Sequence, residues 1–401
     1  MKKKVIAAGH ICLDVTPVFP DKKVGQLGDL LQPGKLIHME GANVSTGGSV
    51  ANTGLGMKIL GADVSLMGKI GDDAFGKMAE SIFAGYGAQE GLLVAPGEST
   101  SYSVVLAVPG IDRIFLHDPG ANDTFCMDDI PKEELREAAL FHFGYPPLMK
   151  KMYEDDGEEL LRIFQSVKAA GVATSLDFAS IDPASEAGAA DWEKILKRVL
   201  PYVDFFVPSV EELCFMLDRG RFTEWQERAG GRDITEILDV GKDVRPLAEK
   251  CMSFGAKVLL IKCGAPGMYY RTAGADSLQK ISGRMELDVD VWADKEGFEK
   301  SYVPERVLSG TGAGDTSIAA FLTAVLEGCG PEECMQLATA TGACCVAAYD
   351  ALGGLKSFDE LREKITAGWP KTESNLVSPS VAKDEPSARL FFGINETESR
   401  V

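Results

Sequence analysis

Short apolar runs recur along the chain at residues 5–13, 64–67, 172–176, 205–207 and 258–261. Amphipathic segments such as residues 158–170 and 191–200 lie beside several of them. Short buried strands alternating with helical periodicity predict a mainly parallel sheet covered by helices on both faces. Residues 102–108 and 113–117 break that rhythm. They flank Pro109-Gly110-Ile111-Asp112 and predict a hairpin. An antiparallel ribbon does not easily join a parallel core, so this one is expected to form a lid or an interface.

Three stretches have another texture. Residues 218–245 are charged and contain glycines, residues 276–302 are polar with alternating acids, and the end from about Trp369 to Val401 is rich in Ser, Glu, Pro and Lys. Their composition predicts solvated surface. Leu390-Phe391-Phe392 is the exception and is expected to dock the tail onto the body. There is no internal repeat.

Composition narrows the class. The chain has 401 residues, 45% hydrophobic and 25% charged, which are globular values. That length exceeds a typical domain of ~100–200 residues, but an open α/β fold can run larger as one unit. Lys+Arg is 41 and Asp+Glu is 60, a net charge of −19. This argues against broad binding to nucleic acid or an anionic membrane, which needs a basic face. An anionic small substrate stays open, because a local positive site can sit in an acidic protein.

Nine cysteines without regular spacing are not a secreted disulfide framework. Cys329 and Cys334, and the adjacent Cys344 and Cys345, lack zinc-ribbon spacing, and His10, His38, His117 and His142 are scattered, so no structural zinc is expected. Met1-Lys2-Lys3-Lys4 followed by an apolar run has the outline of a signal peptide. His10 and Asp14 make it too short and too polar, and a first core strand over residues 5–13 is the better reading. No stretch approaches the ~20 apolar residues of a membrane span. A reduced, cytoplasmic protein is expected, in which the sequons at Asn43, Asn122 and Asn395 carry no meaning.

Two glycine motifs are decoys. Gly71-Asp72-Asp73-Ala74-Phe75-Gly76-Lys77-Met78 nearly matches a P-loop, but Met78 stands where Ser or Thr would hold magnesium, and two acids would repel phosphate. Gly54 and Gly56 begin a GxG whose third glycine, Gly61, comes too late for a dinucleotide fingerprint, so helix packing explains them better.

The strongest signal is Ser309-Gly310-Thr311-Gly312-Ala313-Gly314-Asp315-Thr316, followed by a helical segment to Leu326. Its glycines leave the backbone unobstructed, so several N–H groups can converge on an anion at a helix N-terminus. Asp315 either caps the helix or abstracts a proton beside an anion hole. Phosphoryl transfer to an alcohol needs both parts, donors for the phosphoryl charge and a base near the hydroxyl. Spacing alone leaves both readings open.

Thr311-Gly312-Ala313-Gly314-Asp315 resembles the C-terminal signature of the ribokinase-like (pfkB) carbohydrate kinases. Gly47-Gly48-Ser49-Val50-Ala51-Asn52-Thr53-Gly54, then Leu60-Gly61-Ala62 and residues 68–76, resembles their N-terminal signature. Residues 9–14 resemble the first strand with its substrate aspartate, and Pro119-Gly120-Ala121-Asn122 a turn after the lid hairpin. The resemblance spans about residues 5–365. It implies an α/β fold, a Rossmann-like three-layer α/β/α sandwich with a small β-sheet lid. It places a kinase domain over residues 1–368, with lid segments at about 15–43 and 99–118, and a polar tail over 369–401.

The resemblance also implies transfer of the γ-phosphate of ATP, with Mg²⁺, to a sugar hydroxyl. Asp315 is then the catalytic base and Gly312, Ala313 and Gly314 supply anion-hole amides. Asp14, Gly47, Gly48 and Asn52 bind the sugar, a carboxylate accepting from hydroxyls and an amide doing both. Pro208-Ser209-Val210-Glu211-Glu212 falls where the family has Asn-x-x-Glu, so Glu212 is expected to orient water-bound Mg²⁺, and Ser209 replaces the asparagine. Lys262, Gly264 and Gly267 fall in the nucleotide loop. Lys262 replaces a threonine and either reaches a phosphate or is an ordinary strand-end lysine. Ser309 stands where many members have an aspartate, which weakens the case for monovalent-cation activation. A homodimer through the lid is expected. A nucleoside kinase on the same scaffold and a non-catalytic sugar or nucleotide sensor remain as alternatives. Phe19, Tyr102 and Phe115 do not decide the first.

Overall fold

The computed structural model describes residues 2–20, 25–109 and 114–373. Among these residues the strands are β1 (Lys4–Gly9), β2 (Cys12–Val18), β3 (Gly41–Gly47), β4 (Asp63–Met67), β5 (Lys69–Gly71), β6 (Leu93–Ala95), β7 (Tyr102–Leu106), β8 (Ile114–Asp118), β9 (Ala138–Gly144), β10 (Ala173–Asp177), β11 (Phe205–Phe206), β12 (Val258–Lys262), β13 (Gly267–Thr272) and β14 (Glu296–Lys300). Eight form one sheet in the order β14-β13-β12-β11-β10-β9-β1-β4. From β4 to β12 the pairing is parallel, and β13 and β14 return antiparallel. Both faces carry an apolar core. On β12, Leu259 and Ile261 pack with Phe143, Phe164 and Trp192, while Val258 and Leu260 pack with Ile318 and Phe321 on the other side. Strand alternation thus fills two helical layers from one run of sequence, giving the three-layer sandwich.

The run at 5–13 reads as one strand but forms two. β1 belongs to the main sheet, and the chain then crosses at Gly9–Ile11 into a small sheet of order β3-β2-β7-β8. The crossing needs glycine: Gly9 has φ +124°, and a Cβ there would fall 2.4 Å from the Gly144 carbonyl oxygen. Asn122 braces the crossing by accepting from the Ile11 amide at 3.1 Å and donating to its carbonyl at 2.9 Å.

The small sheet has two unlike faces. Register aligns Ser45, Asp14, Ser103 and His117 in one row, and Val44, Val15, Val104 and Leu116 in the next. Successive residues of a strand face opposite ways, so a polar row looks towards the main sheet and an apolar row looks away. Val44 and Leu116 are exposed. The turn expected at 109–112 lies largely outside the described residues.

Two of the three polar stretches are not merely surface. Residues 218–245 include the helix Arg219–Ala229, capped by the Asp218 carboxylate, which accepts from the Arg221 amide at 3.0 Å. Its Trp225 is 0% exposed and joins the core, as do Leu238 and Val244. Arg228 pairs with the exposed Glu224 and with the buried Asp243. Residues 276–302 supply the edge strand β14 and bury Met285 and Trp292. Average polarity hid these few large anchors. Of the tail, Trp369 stacks on Tyr302 at 4.7 Å, and the Val303 amide donates to the Pro370 carbonyl at 2.9 Å. Leu390-Phe391-Phe392 lies outside the described residues. All nine cysteines are free. Among the described residues no helix is long and apolar enough to cross a membrane.

If the segment at 218–245 is anchored as described, Trp225→Ala costs about 3–5 kcal/mol, the range for truncating a fully buried tryptophan. Urea unfolding of the full chain measures it. A loss within the ±0.5 kcal/mol typical of surface sites would contradict the burial.

Candidate functional site

The helix Ala313–Leu326 starts immediately after Gly312, whose φ is +74°. A Cβ at Gly312 would lie 2.2 Å from that of Ala351, so the turn into the helix demands glycine there. The first-turn N–H groups have no partner within the helix, and its dipole favours an anion beside them. Of the three expected anion-hole residues, Ala313 makes a long 3.4 Å amide bond to the Gly310 carbonyl. The Ser309 hydroxyl accepts from the Thr311 amide at 3.1 Å and so braces the loop.

Asp315 does not cap this helix. Its buried carboxylate turns across to other elements. It accepts from the Tyr145 hydroxyl at 2.6 Å, the Asn52 amide at 3.1 Å and the Thr53 hydroxyl at 3.4 Å. Burial pushes its pKa up, while the Lys262 ammonium and the bonds from Tyr145 and Asn52 hold it down. Asn52 and Thr53 lie in the widened helical turn Val50–Leu55, a geometry frequent at functional sites. The neighbouring glycines serve packing: a Cβ on Gly54 would meet Leu66 at 2.4 Å, and one on Gly56 would meet Ala319 at 3.0 Å. The near P-loop is likewise structural, because Asp73 caps the helix Ala74–Gly85 through the Gly76 amide and also binds Thr100.

Tyr145 has a left-handed backbone with φ +68°, a conformation costing a non-glycine residue about 1–3 kcal/mol. Its amide donates to the Asp177 carbonyl at 3.2 Å, which with the bond to Asp315 holds it in place.

A second charged group adjoins the loop. Lys262 ends β12 and reaches Asp177 at the end of β10, with Nζ 2.7 Å from Oδ1. The other oxygen, Oδ2, is buried without a partner among the described residues. Burial drives the Asp177 carboxyl up to about 8 against the pull of Lys262. Burial opposes charge on Lys262 too, yet Asp177, Glu212 and Asp315 keep its pKa raised. A Cβ on Gly314 would lie 3.4 Å from the Lys262 Cδ, so the lysine stem runs along the glycine loop.

Ser209 and Glu212 cap the helix Val210–Leu217. The Glu212 carboxylate accepts from the Ser209 amide at 2.8 Å, and the Ser209 hydroxyl accepts from the Glu212 amide at 3.2 Å. Gly264 (φ +63°) and Gly267 (φ +142°) shape the turn from β12 to β13. A Cβ at Gly267 would strike the Glu299 carbonyl oxygen at 2.1 Å.

On the opposite side lies Asp14. Gly47 and Gly48 make room there: a Cβ on Gly47 would meet Asp14 Oδ2 at 2.2 Å, and one on Gly48 would meet His10 Nδ1 at 2.6 Å. Asp14 accepts from the Cys12 thiol at 3.3 Å, and burial raises its pKa. Ser103 binds His117 Nδ1 at 3.0 Å, His117 lies 5.2 Å from His10 between ring centroids, and His10 lies 6.0 Å from Tyr145. A file of polar side chains therefore runs from Asp14 to Asp315.

The sequence did not single out His10, His117, Thr53, Tyr145 or Asp177 for this site. Two of them left a signal: a histidine inside an apolar run, and an aspartate at the C-terminal end of a parallel strand, where open α/β sheets bind ligands. Among the described residues no three His, Cys, Asp or Glu side chains form a metal cage. The orphaned Asp177 oxygen and Glu212 are hard donors of the kind Mg²⁺ takes, and they fit an ion carried in by phosphates rather than a resident one.

The sequence matches the pfkB family carbohydrate kinase description over residues 2–356. It is 27% identical over 305 residues to a protein of Archaeoglobus fulgidus described as an uncharacterized sugar kinase, covering 75% of this chain and 98% of that one. The fold is similar to that of Arabidopsis thaliana ribokinase complexed with ribose and ATP, with a TM-score of 0.64 at 21% identity, covering 90% of this chain and 98% of that one. It is also similar to a putative ribokinase II from E. coli in complex with ATP and Mg²⁺, with a TM-score of 0.64 at 20% identity, covering 92% and 100%. With both sequence signatures on one three-layer sandwich, this chain belongs to the pfkB family of carbohydrate kinases, a sugar kinase with the ribokinase-like fold.

Proposed function

We propose that the protein transfers the γ-phosphoryl group of ATP to a sugar hydroxyl, with Asp315 as the base. The supporting observation is one buried carboxylate, held by three donors, in the first turn of a helix entered through a glycine turn. As the sugar oxygen attacks phosphorus and the bond to ADP breaks, the O–H proton passes to Asp315 Oδ2 or Oδ1. The Gly312, Ala313 and Gly314 amides and Lys262 face the charge that develops on the phosphoryl oxygens. Lys262 turns from Asp177 to do so, leaving that carboxylate to the cation that ATP brings. Asp177 and Glu212 would hold Mg²⁺ beside the phosphates, where it would supply charge neutralisation. Asp14 and Asn52 hold acceptor hydroxyls, and the small sheet shields them from water.

A nucleoside acceptor is the second reading. Phe115 is exposed and, two residues from His117, lies on the polar-row face of β8, where it offers a ring for a base to stack on. On the opposite face, the apolar row Val44, Val15, Val104 and Leu116 suits a second copy of the chain, because an exposed apolar sheet face favours association.

Asp315→Asn is expected to lower kcat by about 10²- to 10⁴-fold with thermal unfolding unchanged, read as ADP release from Mg-ATP with sugar. Undiminished turnover would remove Asp315 as the base.

Tyr145→Phe deletes a bond that lowers the Asp315 pKa. The base then protonates at higher pH, and the acid limb of the kcat–pH profile moves upward. A fall in kcat at every pH with the limb unmoved would leave Tyr145 a packing residue only.

Leu116→Asp is expected to convert a dimer to a monomer in sedimentation velocity. A monomeric wild type would refute the paired copy.

A further inference from the structure

His10 is 1% exposed, and neither ring nitrogen has a partner among the described residues. Leaving a buried polar atom unpaired costs about 1–3 kcal/mol, so such an imidazole in a folded protein marks a place where something else bonds. Its position narrows what that is. The ring fills the space Gly48 leaves open, faces His117 of β8 at 5.2 Å, and lies next to Tyr145, which binds Asp315. His10 is therefore midway along the file from Asp14 to the proposed base.

We propose that His10 and His117 bind hydroxyl groups of the acceptor and select an uncharged polyhydroxyl compound over a sugar acid or a sugar phosphate. The inference rests on the kinase reading above and names its substrate class. Neutral His10 offers one donor and one bare nitrogen, the complement of a hydroxyl that both accepts and donates, while His117, whose Nδ1 is held by Ser103, offers Nε2. Burial lowers the pKa of both rings, of His10 well below its usual value, so neither carries the charge an anion needs. Asp14 and Asp315 place carboxylates at both ends of the file. Among the described residues, the groups acting on Asp14 and His10 include no lysine or arginine. Among the described residues acting on Asp14 and His10, a carboxylate or phosphate on the acceptor would meet acids and no cation, at a cost that a neutral hydroxyl avoids. Lys262 is at the phosphoryl end, beside Asp177 and Gly314.

The test measures Mg-ATP-dependent phosphorylation by the full chain of D-fructose, D-ribose, adenosine, D-gluconate and D-fructose 6-phosphate. A neutral acceptor is expected to exceed both anions by about 100-fold or more in kcat/KM, the scale set by an unmatched polar group. His10→Asn is expected to raise the KM for that acceptor about tenfold, one hydrogen bond's worth, with kcat lowered far less. His117→Ala, on the edge strand of the small sheet, does the same and serves if His10→Asn does not fold. A best acceptor that is anionic, or an unchanged KM in a folded variant, overturns the proposal while leaving the kinase intact. If no member is phosphorylated, the kinase reading fails instead. Binding is then read from the imidazole ¹H–¹³C resonances. Shifts of His10 and His117 with D-fructose or D-ribose, and not with D-gluconate, uphold the selectivity, and shifts with neither overturn it.

Discussion

Three carboxylates share one buried ammonium. Asp177, Glu212 and Asp315 all act on Lys262, and their elements have little else in common. Asp177 ends β10, Glu212 opens the helix after β11, Lys262 ends β12, and Asp315 belongs to the helix laid across the sheet. The charges therefore tie together the C-terminal ends of neighbouring parallel strands, where an open α/β sheet presents its ligand site. Removing the ammonium would leave buried acids facing one another, an arrangement that costs several kcal/mol. The site therefore holds more acid than base around that one ammonium.

Around Asp14 and His10 the chain is shaped by vacancy rather than charge. Gly47, Gly48 and Gly9 matter for the side chains they lack. Each missing Cβ is room for Asp14, for His10 or for the Gly144 carbonyl. The polar row on β2, β7 and β8 faces the main sheet because the apolar row, one residue along, faces away. A slip of one residue would turn Asp14, Ser103 and His117 outward and bury the valines. Asn122, which clamps the crossing at Ile11 from both sides, helps hold that register.

The sequence was legible where physics leaves a strong local mark. Alternating short runs announced the parallel sheet, and Gly312 through Asp315 announced a helix N-terminus with an acid in its first turn. It was silent where the cause is distant. Trp225 lies in a charged stretch, and only tertiary packing makes it core. Tyr145 reaches Asp315 across 170 residues of sequence, and no local pattern encodes that bond. Ser209 and Glu212 show the opposite case. Their spacing is that of a capping box, and the structure forms it, with Glu212 Oε2 accepting from the Ser209 amide and the Ser209 hydroxyl accepting from the Glu212 amide.

The order of the main sheet has a consequence for how the molecule is made. β10 docks on β9, β11 on β10, and so on to β14, so from β9 onward each strand finds its neighbour in the segment just completed. A chain leaving the ribosome can extend the sheet in the order of its synthesis. The helix that carries Asp315 follows the last of these strands. A nascent chain thus has Asp14, His10 and most of its sheet in hand before Asp315 exists, and the buried carboxylate cluster around Lys262 is completed only after the last strand.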